Sequence, residues 1–258
     1  MTGLICEHSG AEFRVSPNFG PRVGTSKPDM IILHYTGMES GRAAEEWLCN
    51  PVSEVSSHYI VHEDGRIVQM VREADRAWHA GKSSWRGMGD INSRSIGIEI
   101  VNPGHAFGYT DFAEVQMASV IDLCTGIVHR HGIPAERVLG HSDIAPGRKV
   151  DPGEKFDWRR LARHGLGLFV EPEDISGGSI LQVGDQGEDV QNLQSMLSVF
   201  GYGVEISAEY DVLTATVVSA FQRHFRPALI NGCADASTIA TLRRLLQELP
   251  EREDWEVA

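Results

Sequence analysis

The sequence contains no apolar run that approaches the roughly 18 residues needed for a membrane-spanning helix. It also lacks a surplus of basic residues, because 23 lysines and arginines stand against 36 aspartates and glutamates, a formal net charge of −13. A surface this acidic repels nucleic-acid phosphates and anionic lipid headgroups. We therefore expect a globular protein with no transmembrane segment and no nucleic-acid partner.

Cysteine is scarce, and its spacing indicates no pairing. Cys6, Cys49, Cys124 and Cys233 lie far apart with no C-x-x-C pair, which is typical of reduced, mostly buried thiols rather than of a disulfide framework. The N-terminal segment has no basic stretch followed by an apolar one, as a secretory signal would have. Both observations favour a cytoplasmic location. A periplasmic or membrane-associated location is the alternative if an export signal has been trimmed.

Residues 1–170 combine strand and helix patterns, which predicts an α/β domain with a mixed central sheet flanked by helices. Asp111 with Glu114 resembles a capping box at the start of a long helix, and Gly132 would end that helix. The predicted strands are 30–34, 58–62, 66–70 and 96–101, and the predicted helices are 43–49 and 111–131.

A second, smaller all-α domain is predicted at 180–250. The stretch 171–179, rich in acids, proline, serine and glycine, has the composition of a linker. The acidic tail 251–258 is expected to be frayed. The predicted helices of this bundle are 190–200, 213–225 and 236–249.

Eleven histidines make a metal site the first chemical hypothesis. His34 ends a predicted strand, and His141 begins a loop that also carries Asp143, Lys149 and Asp151. Two imidazoles and a carboxylate, with water as a fourth ligand, form the open zinc site used for hydrolysis. Spacing alone does not select these histidines from the others, which include His58, His62, His79, His105, His129 and His131.

Five motifs in a fixed order select among them by resemblance. They are ILHYTG (32–37), SSHYIV (56–61), AWHAG (77–81), SIGIEIVN (95–102) and GHSDIAPGRKVDPG (140–153). Over about residues 25–160 the chain resembles the zinc-dependent N-acetylmuramoyl-L-alanine amidases of the AmpD/AmiD type, relatives of the peptidoglycan recognition proteins. Five ordered motifs are far more specific than any one of them.

The resemblance implies a role for each matching residue. His34, His141 and Asp151 would bind Zn²⁺, Glu99 would be the general base, and Lys149 would stabilise the oxyanion. Strand alternation independently points Glu99 away from the isoleucine face of its strand, toward a cleft. A carboxylate can move the proton of the attacking water, and a cation can oppose charge that develops on the carbonyl oxygen.

Six further residues are candidates for substrate binding. Aromatic rings near the motifs could stack on substrate, although a tryptophan more often packs in a core. An arginine suits bidentate pairing with a substrate carboxylate, although a surface salt bridge is about as common for it. The candidates are Tyr35, Trp78, His79, Trp85, Asn92 and Arg94.

The C-terminal region has its own resemblance. VGDQGEDVQNLQ (183–194), the FGYG turn (200–203) and YDVLTATVVSAFQ (210–222) resemble the small helical peptidoglycan-binding domain of many wall hydrolases, over about residues 179–248. Such a domain would raise the local concentration of enzyme at the wall. The alternative is a bundle that only packs on the catalytic domain and stabilises it.

Together these features predict hydrolysis of the amide between (1,6-anhydro-)N-acetylmuramic acid and L-alanine of peptidoglycan stem peptides, in cell-wall turnover and recycling. The partners would be peptidoglycan or muropeptide fragments. A non-catalytic peptidoglycan-binding protein is the alternative. Glycoside cleavage is a third reading, but it needs two flanking acids and only Glu99 is placed by a motif.

Overall fold

The computed structural model describes residues 6–250, so the prediction for the tail 251–258 lies outside the described residues. Six strands form the main sheet in the order β1-β5-β4-β7-β3-β8, and β2 and β6 form a separate pair. Within the main sheet only β4 and β5 run antiparallel, so the predicted mixed sheet is confirmed. The strands are β1 (Ala11–Phe13), β2 (Phe19–Gly20), β3 (Met30–Tyr35), β4 (Tyr59–Val61), β5 (Ile67–Gln69), β6 (Arg76–Ala77), β7 (Ser95–Ile100) and β8 (Val138–Gly140).

Nine α-helices surround this sheet in the described part of the chain, with short 3₁₀ turns at Pro51–Ser53 and Ala135–Arg137. None of them, within residues 6–250, combines the length and the apolarity that a bilayer crossing demands. They are α1 (Gly41–Leu48), α2 (Ile91–Arg94), α3 (Gly104–Phe107), α4 (Glu114–His131), α5 (His141–Ile144), α6 (Trp158–Ala162), α7 (Glu188–Phe200), α8 (Val212–Phe225) and α9 (Ala236–Gln247).

The long helix α4 covers one face of the sheet. Its buried stripe packs against alternate residues of the neighbouring strands β3 and β7, as the period of two along a strand requires. Gly132 ends the helix in the left-handed conformation, as predicted. The predicted capping box is wrong, because the helix begins at Glu114 and its N-cap residue, Ala113, has no side-chain acceptor. The residues in contact include Ile31, Leu33, Ile96, Ile98 and Ile100 of the strands and Met117, Val120, Cys124 and Ile127 of α4.

The opposite face of the sheet shares one hydrophobic core with the C-terminal bundle of α7, α8 and α9. The residue between Phe200 and Tyr202 must be small, because a Cβ on Gly201 would lie 2.5 Å from the Trp85 ring. Trp85 itself packs edge-on against Phe200 and Tyr202, with ring centroids 5.9 and 5.0 Å away. The bundle is therefore joined to the sheet domain by close-packed aromatic contacts.

All four cysteines lie within the described residues and all are free thiols, as predicted. The expectation that they are mostly buried is wrong, because only Cys124 is buried and the other three are partly exposed.

Candidate metal centre and active site

Two parallel strands place the first two site residues side by side. β3 and β7 pair in a register that sets His34 opposite Glu99, near the carboxyl ends of both strands. Facing residues of neighbouring strands project from the same side of a sheet. His34 and Glu99 therefore lie together on the face opposite α4, and both line one cleft of about 450 Å³.

The other two predicted ligands follow the third strand, β8, in the chain: His141 comes directly after it and Asp151 lies in the loop beyond. β8 ends at Gly140, and the single turn of α5, inside a segment predicted as a loop, starts at His141. His34 Nδ1 lies 2.9 Å from His141 Nδ1, and Asp151 Oδ2 lies 3.0 Å from each of these nitrogens. The three residues predicted as metal ligands thus converge on one point, and all three are buried.

The far side of each imidazole is hydrogen-bonded, which fixes its tautomer. His34 Nε2 lies 3.0 Å from His79 Nδ1, whose own Nε2 lies 3.2 Å from Ser95 Oγ, and that hydroxyl donates to a backbone carbonyl of α2. His141 Nε2 lies 3.1 Å from the carbonyl oxygen of Ala80. A carbonyl only accepts, so His141 Nε2 carries the proton, and the relay through His79 assigns the His34 proton to Nε2 in the same way. Both Nδ1 lone pairs are left facing Asp151.

The protonation states suit a cation. Burial, reinforced by the charge of His141, lowers the pKa of His34 to about 4, so its imidazole is neutral at pH 7. Burial raises the pKa of Asp151, but its contacts with His141 and His34 outweigh that effect and hold the pKa well below its usual range. Neutral imidazole and ionised carboxylate are the forms that bind metal. Two imidazole nitrogens and a carboxylate oxygen that converge within about 3 Å of one another form a donor set that fits Zn²⁺.

Glu99 and Lys149 both border the cleft beside these ligands. Burial, followed by the negative charge of Asp151, raises the pKa of Glu99 well above its usual range, and Lys149 opposes this shift. Among residues 6–250, the buried Oε2 of Glu99 has no hydrogen-bond partner. A desolvated carboxylate with a free oxygen is poised to accept a proton from a molecule that enters the cleft.

Three of the six substrate-binding candidates line the cleft: Tyr35, Trp78 and His79. The Tyr35 hydroxyl lies 3.0 Å from His105 Nδ1 at the rim. His79 is in addition the hydrogen-bond partner of the ligand His34, a position that its motif alone did not indicate.

The other three candidates lie elsewhere, and their predicted contact with substrate is corrected. Trp85 is only 1% exposed and faces the bundle, where its large apolar surface is excluded from water. Asn92 is buried, and its side-chain oxygen accepts the backbone N–H groups of His79 and Ala80. Arg94 forms an ion pair with Asp29, which is the surface salt bridge weighed as its alternative.

The sequence analysis did not predict several of the residues that line the cleft. Arg148 donates from Nε to the carbonyl of Lys82, and its guanidinium also reaches the Ala80 carbonyl that His141 uses. Arg148 directly precedes Lys149 in the GHSDIAPGRKVDPG motif, so that motif could have indicated it as a cleft residue. The cleft lining also includes the apolar residues Met38, Trp47 and Val55, which no motif contains.

Three other histidines, His58, His62 and His131, have contacts within the fold and do not line the cleft. His58 is buried, its Nδ1 accepts the N–H of Gly97, and burial lowers its pKa to about 3. His62 pairs with Glu45, and His131 at the end of α4 pairs with Glu73. Within the described chain, the groups that could hold a metal are His34, His141 and Asp151.

Residues 24–154 match the family model described as N-acetylmuramoyl-L-alanine amidase, and residues 186–242 match that of a peptidoglycan binding domain. The chain is 35% identical over 231 residues to the N-acetylmuramoyl-L-alanine amidase AmiD of Escherichia coli, covering 85% of this chain and 82% of that one.

Two solved structures extend the similarity to the whole fold. One is the E. coli AmiD complex with its substrate anhydro-N-acetylmuramic acid-L-Ala-D-gamma-Glu-L-Lys, at 34% identity and a TM-score of 0.73, covering 91% of this chain and 93% of the other. The second is AmpDh3 from Pseudomonas aeruginosa in complex with an anhydromuramic pentapeptide, at 28% identity and a TM-score of 0.70, covering 92% and 96%.

Proposed function

The chain belongs to the N-acetylmuramoyl-L-alanine amidase family, and we infer that it hydrolyses the amide between N-acetylmuramic acid and L-alanine in anhydro-muropeptides during cell-wall recycling. The observation that carries this function is the convergence of His34, His141 and Asp151 beside Glu99 in one cleft. The relatives whose complexes contain anhydromuramyl peptides support this substrate class.

We propose that the three ligands hold Zn²⁺. Zn²⁺ held there would supply Lewis acidity, which activates water and a carbonyl group for hydrolysis. His79 and the Ala80 carbonyl keep the ligand rings in the tautomer that presents Nδ1. Such outer partners commonly contribute 10- to 100-fold to metal affinity or activity.

Glu99 moves the proton in this mechanism. Its free oxygen accepts the proton of the attacking water and then delivers it to the nitrogen of the leaving L-alanine. Burial and the negative charge of Asp151 raise the pKa of Glu99, which makes its carboxylate a stronger proton acceptor. Lys149 places an ammonium at the cleft wall, where it opposes the negative charge that develops on the carbonyl oxygen.

The cleft walls would position the two halves of the substrate. Tyr35 and Trp78 offer aromatic surface in the cleft, and Met38, Trp47 and Val55 add apolar surface to its lining. A partly exposed aromatic ring can pack on the C–H face of a sugar or on a methyl group of the peptide.

The test of this function is hydrolysis of defined muropeptides. Zinc-loaded protein, with a chelated sample as control, is incubated with 1,6-anhydro and reducing muropeptides, and the products are read by mass spectrometry. We expect release of peptides that begin with L-alanine from the zinc form only. Intact muropeptides with zinc still bound would overturn catalysis and favour the non-catalytic wall-binding protein, and new reducing ends would indicate a glycosidase.

Glu99→Gln separates the proton transfer from metal binding. We expect this variant to bind zinc as the wild type does but to lose at least about 100-fold in kcat. Glu63→Gln, in the exposed turn between β4 and β5, is the matched control and should leave kcat unchanged. Wild-type kcat in Glu99→Gln would refute the assignment of the general base.

We propose a cytoplasmic location, and this proposal rests on the cysteine thiols. Four free cysteines, three of them partly exposed, suit a reducing compartment such as the cytoplasm. A periplasmic or membrane-associated enzyme is the alternative. Fractionation of cells that express the full-length gene product decides between them.

A further inference from the structure

The ligand His141 stands on a very short support. Helix α5 has four residues, His141–Ile144, which is a single turn. One turn of helix does not hold itself in water, so its position depends on tertiary contacts. Whatever fixes α5 also fixes the direction of the His141 ring.

Asp143 supplies the main polar contact of that turn. Its carboxylate is fully buried and receives three hydrogen bonds. One comes from the N–H of Gly140, directly before the ligand, at 2.8 Å. The other two come from the bundle: the Tyr202 hydroxyl lies 2.6 Å from Oδ1, and His224 Nδ1 lies 2.7 Å from Oδ2.

The two bundle residues are themselves rigidly held. The His224 ring is stacked between Trp158 and Phe225, with centroids at 3.7 and 3.8 Å. Its Nε2 is buried and has no hydrogen-bond partner among residues 6–250, so Nδ1 carries the proton that is donated to Asp143. Tyr202 is 2% exposed and wedged against the Trp85 ring.

The contact between α5 and the bundle is also sterically tight. A Cβ on Gly147, in the ligand loop, would lie 2.6 Å from Thr216 Cγ2 of α8. The cleft lining, by contrast, comes from residues between His34 and Asp151 in the described chain. The bundle therefore reaches the site through the support of a ligand and not through the cleft wall.

We propose that Tyr202 and His224 are positioning residues of the metal centre, which hold His141 in its binding orientation through Asp143. This proposal rests on the proposed zinc site. It gives the C-terminal bundle a role in the hydrolytic centre that is separate from wall binding, and more than general stabilisation. Neither residue touches substrate, so their loss should change metal affinity and kcat rather than KM.

The experiment compares two pairs of variants of the full chain. Tyr202→Phe removes only the hydroxyl that reaches Asp143. Its matched control is Tyr210→Phe, because Tyr210 is equally buried in the bundle but donates to the Gly232 carbonyl. His224→Leu removes the second donor, and His224→Asn keeps an N–H donor near the position of Nδ1.

The readouts are Zn²⁺ affinity by chelator competition, the visible spectrum of the Co²⁺-loaded protein, kcat and KM on an anhydro-muropeptide, and Tm. We expect Tyr202→Phe and His224→Leu to weaken Zn²⁺ binding about 10-fold, the low end for outer partners of a metal ligand, to alter the Co²⁺ spectrum and to lower kcat at unchanged KM. Tyr210→Phe should lower Tm but keep wild-type affinity, and His224→Asn should restore most of the affinity.

Wild-type affinity and an unchanged Co²⁺ spectrum in Tyr202→Phe and His224→Leu would overturn the proposal and leave the bundle as a stabiliser only. If His224→Leu does not fold, Tyr202→Phe decides, since it loses a single oxygen atom. A wild type that binds Zn²⁺ without hydrolysing muropeptides would refute the amidase, and the affinity comparison would still decide the positioning role. A wild type that binds no Zn²⁺ would overturn both.

Discussion

Replacing Gly97 by alanine would place a methyl group too close to the ring of His79. An ideal Cβ on Gly97 lies 2.4 Å from His79 Cγ and 2.7 Å from its Nδ1, far below a normal contact. Gly97 sits in the middle of β7, so alanine adds no backbone strain there. The glycine is thus required by the ring beside it, and the substitution tests what that ring does.

We expect Gly97→Ala to have two separable effects, one on stability and one on metal affinity. Overpacking a filled interior costs about 1–3 kcal/mol of stability. Displacing His79 also breaks its contact with His34 Nε2, and the loss of such an outer partner typically weakens metal binding 10- to 100-fold. We therefore expect Gly97→Ala to lower Tm and, independently, to weaken Zn²⁺ affinity by at least 10-fold.

The assay is chelator competition for Zn²⁺ together with thermal unfolding of the metal-free protein. Gly89→Ala is the matched control, because Gly89 is exposed and a Cβ there meets nothing within 4 Å. In the double variant with His79→Ala the effects on Tm should be less than additive, since the clash is gone, and affinity should fall no further. A lower Tm with unchanged affinity in Gly97→Ala would refute the role of His79 in orienting His34.

Trp85→Ala should destabilise the protein by about 3–5 kcal/mol, because the ring fills the junction between the sheet and the bundle. A raised KM with unchanged stability in urea would indicate instead that Trp85 contacts substrate. Burial raises the pKa of Glu73, but hydrogen bonds from Arg130, Tyr59 and His131 outweigh it and leave the net pKa below its usual value. Ionised Glu73 therefore stabilises the fold fully above its pKa in the unfolded chain, and this stabilisation is lost as the pH falls through its pKa in the folded protein. Glu73→Gln should lower the free energy of unfolding in urea by about 2–3 kcal/mol at pH 7, and by progressively less below about pH 4. A difference between variant and wild type that grows in acid would contradict this. Arg94→Met should change stability by less than about 1 kcal/mol, as for a partly exposed pair, and leave KM unaltered; a KM several-fold higher would place Arg94 on the substrate.

Local pattern was enough to predict the longer strands and helices, because each of them carries its own periodicity, but it did not predict the short strands β1, β2, β6 and β8 or the short helices α2, α3, α5 and α6. The 30–34 and 96–101 runs, for example, became β3 and β7 with small shifts at their ends. The pairing of His34 with Glu99 depends on the parallel register of strands 65 residues apart. Periodicity contains no information on that register, so only the ordered motifs pointed to the two residues together.

The two acids of the ligand loop illustrate the same limit. The sequence places Asp143 and Asp151 in one loop, and the resemblance alone selected Asp151 as a ligand. In the structure the single turn of α5 directs Asp143 toward Tyr202 and His224, while Asp151 faces His34. The partners that decide this choice lie 59 and 81 residues further along the chain, beyond any local pattern.

Trp85 was misassigned for the same physical reason. Its position close to AWHAG suggested a cleft wall, but the surface that buries its ring is formed by the turn at Phe200–Tyr202. A large apolar ring gains most where it is fully removed from water. The docking of the bundle, which the sequence left open, determined where that place would be.

The arrangement of ligands explains why so much packing surrounds them. The three donor atoms lie about 3 Å from one another, a spacing that freely rotating side chains would not keep. Each support is instead tied to an element of the fold: His34 through His79, His141 through Ala80 and the Asp143 contacts. Because the donor atoms are already assembled, a cation that binds there would cost less conformational entropy than one that has to order its ligands. On this reasoning the rigid outer contacts would strengthen metal binding at this site.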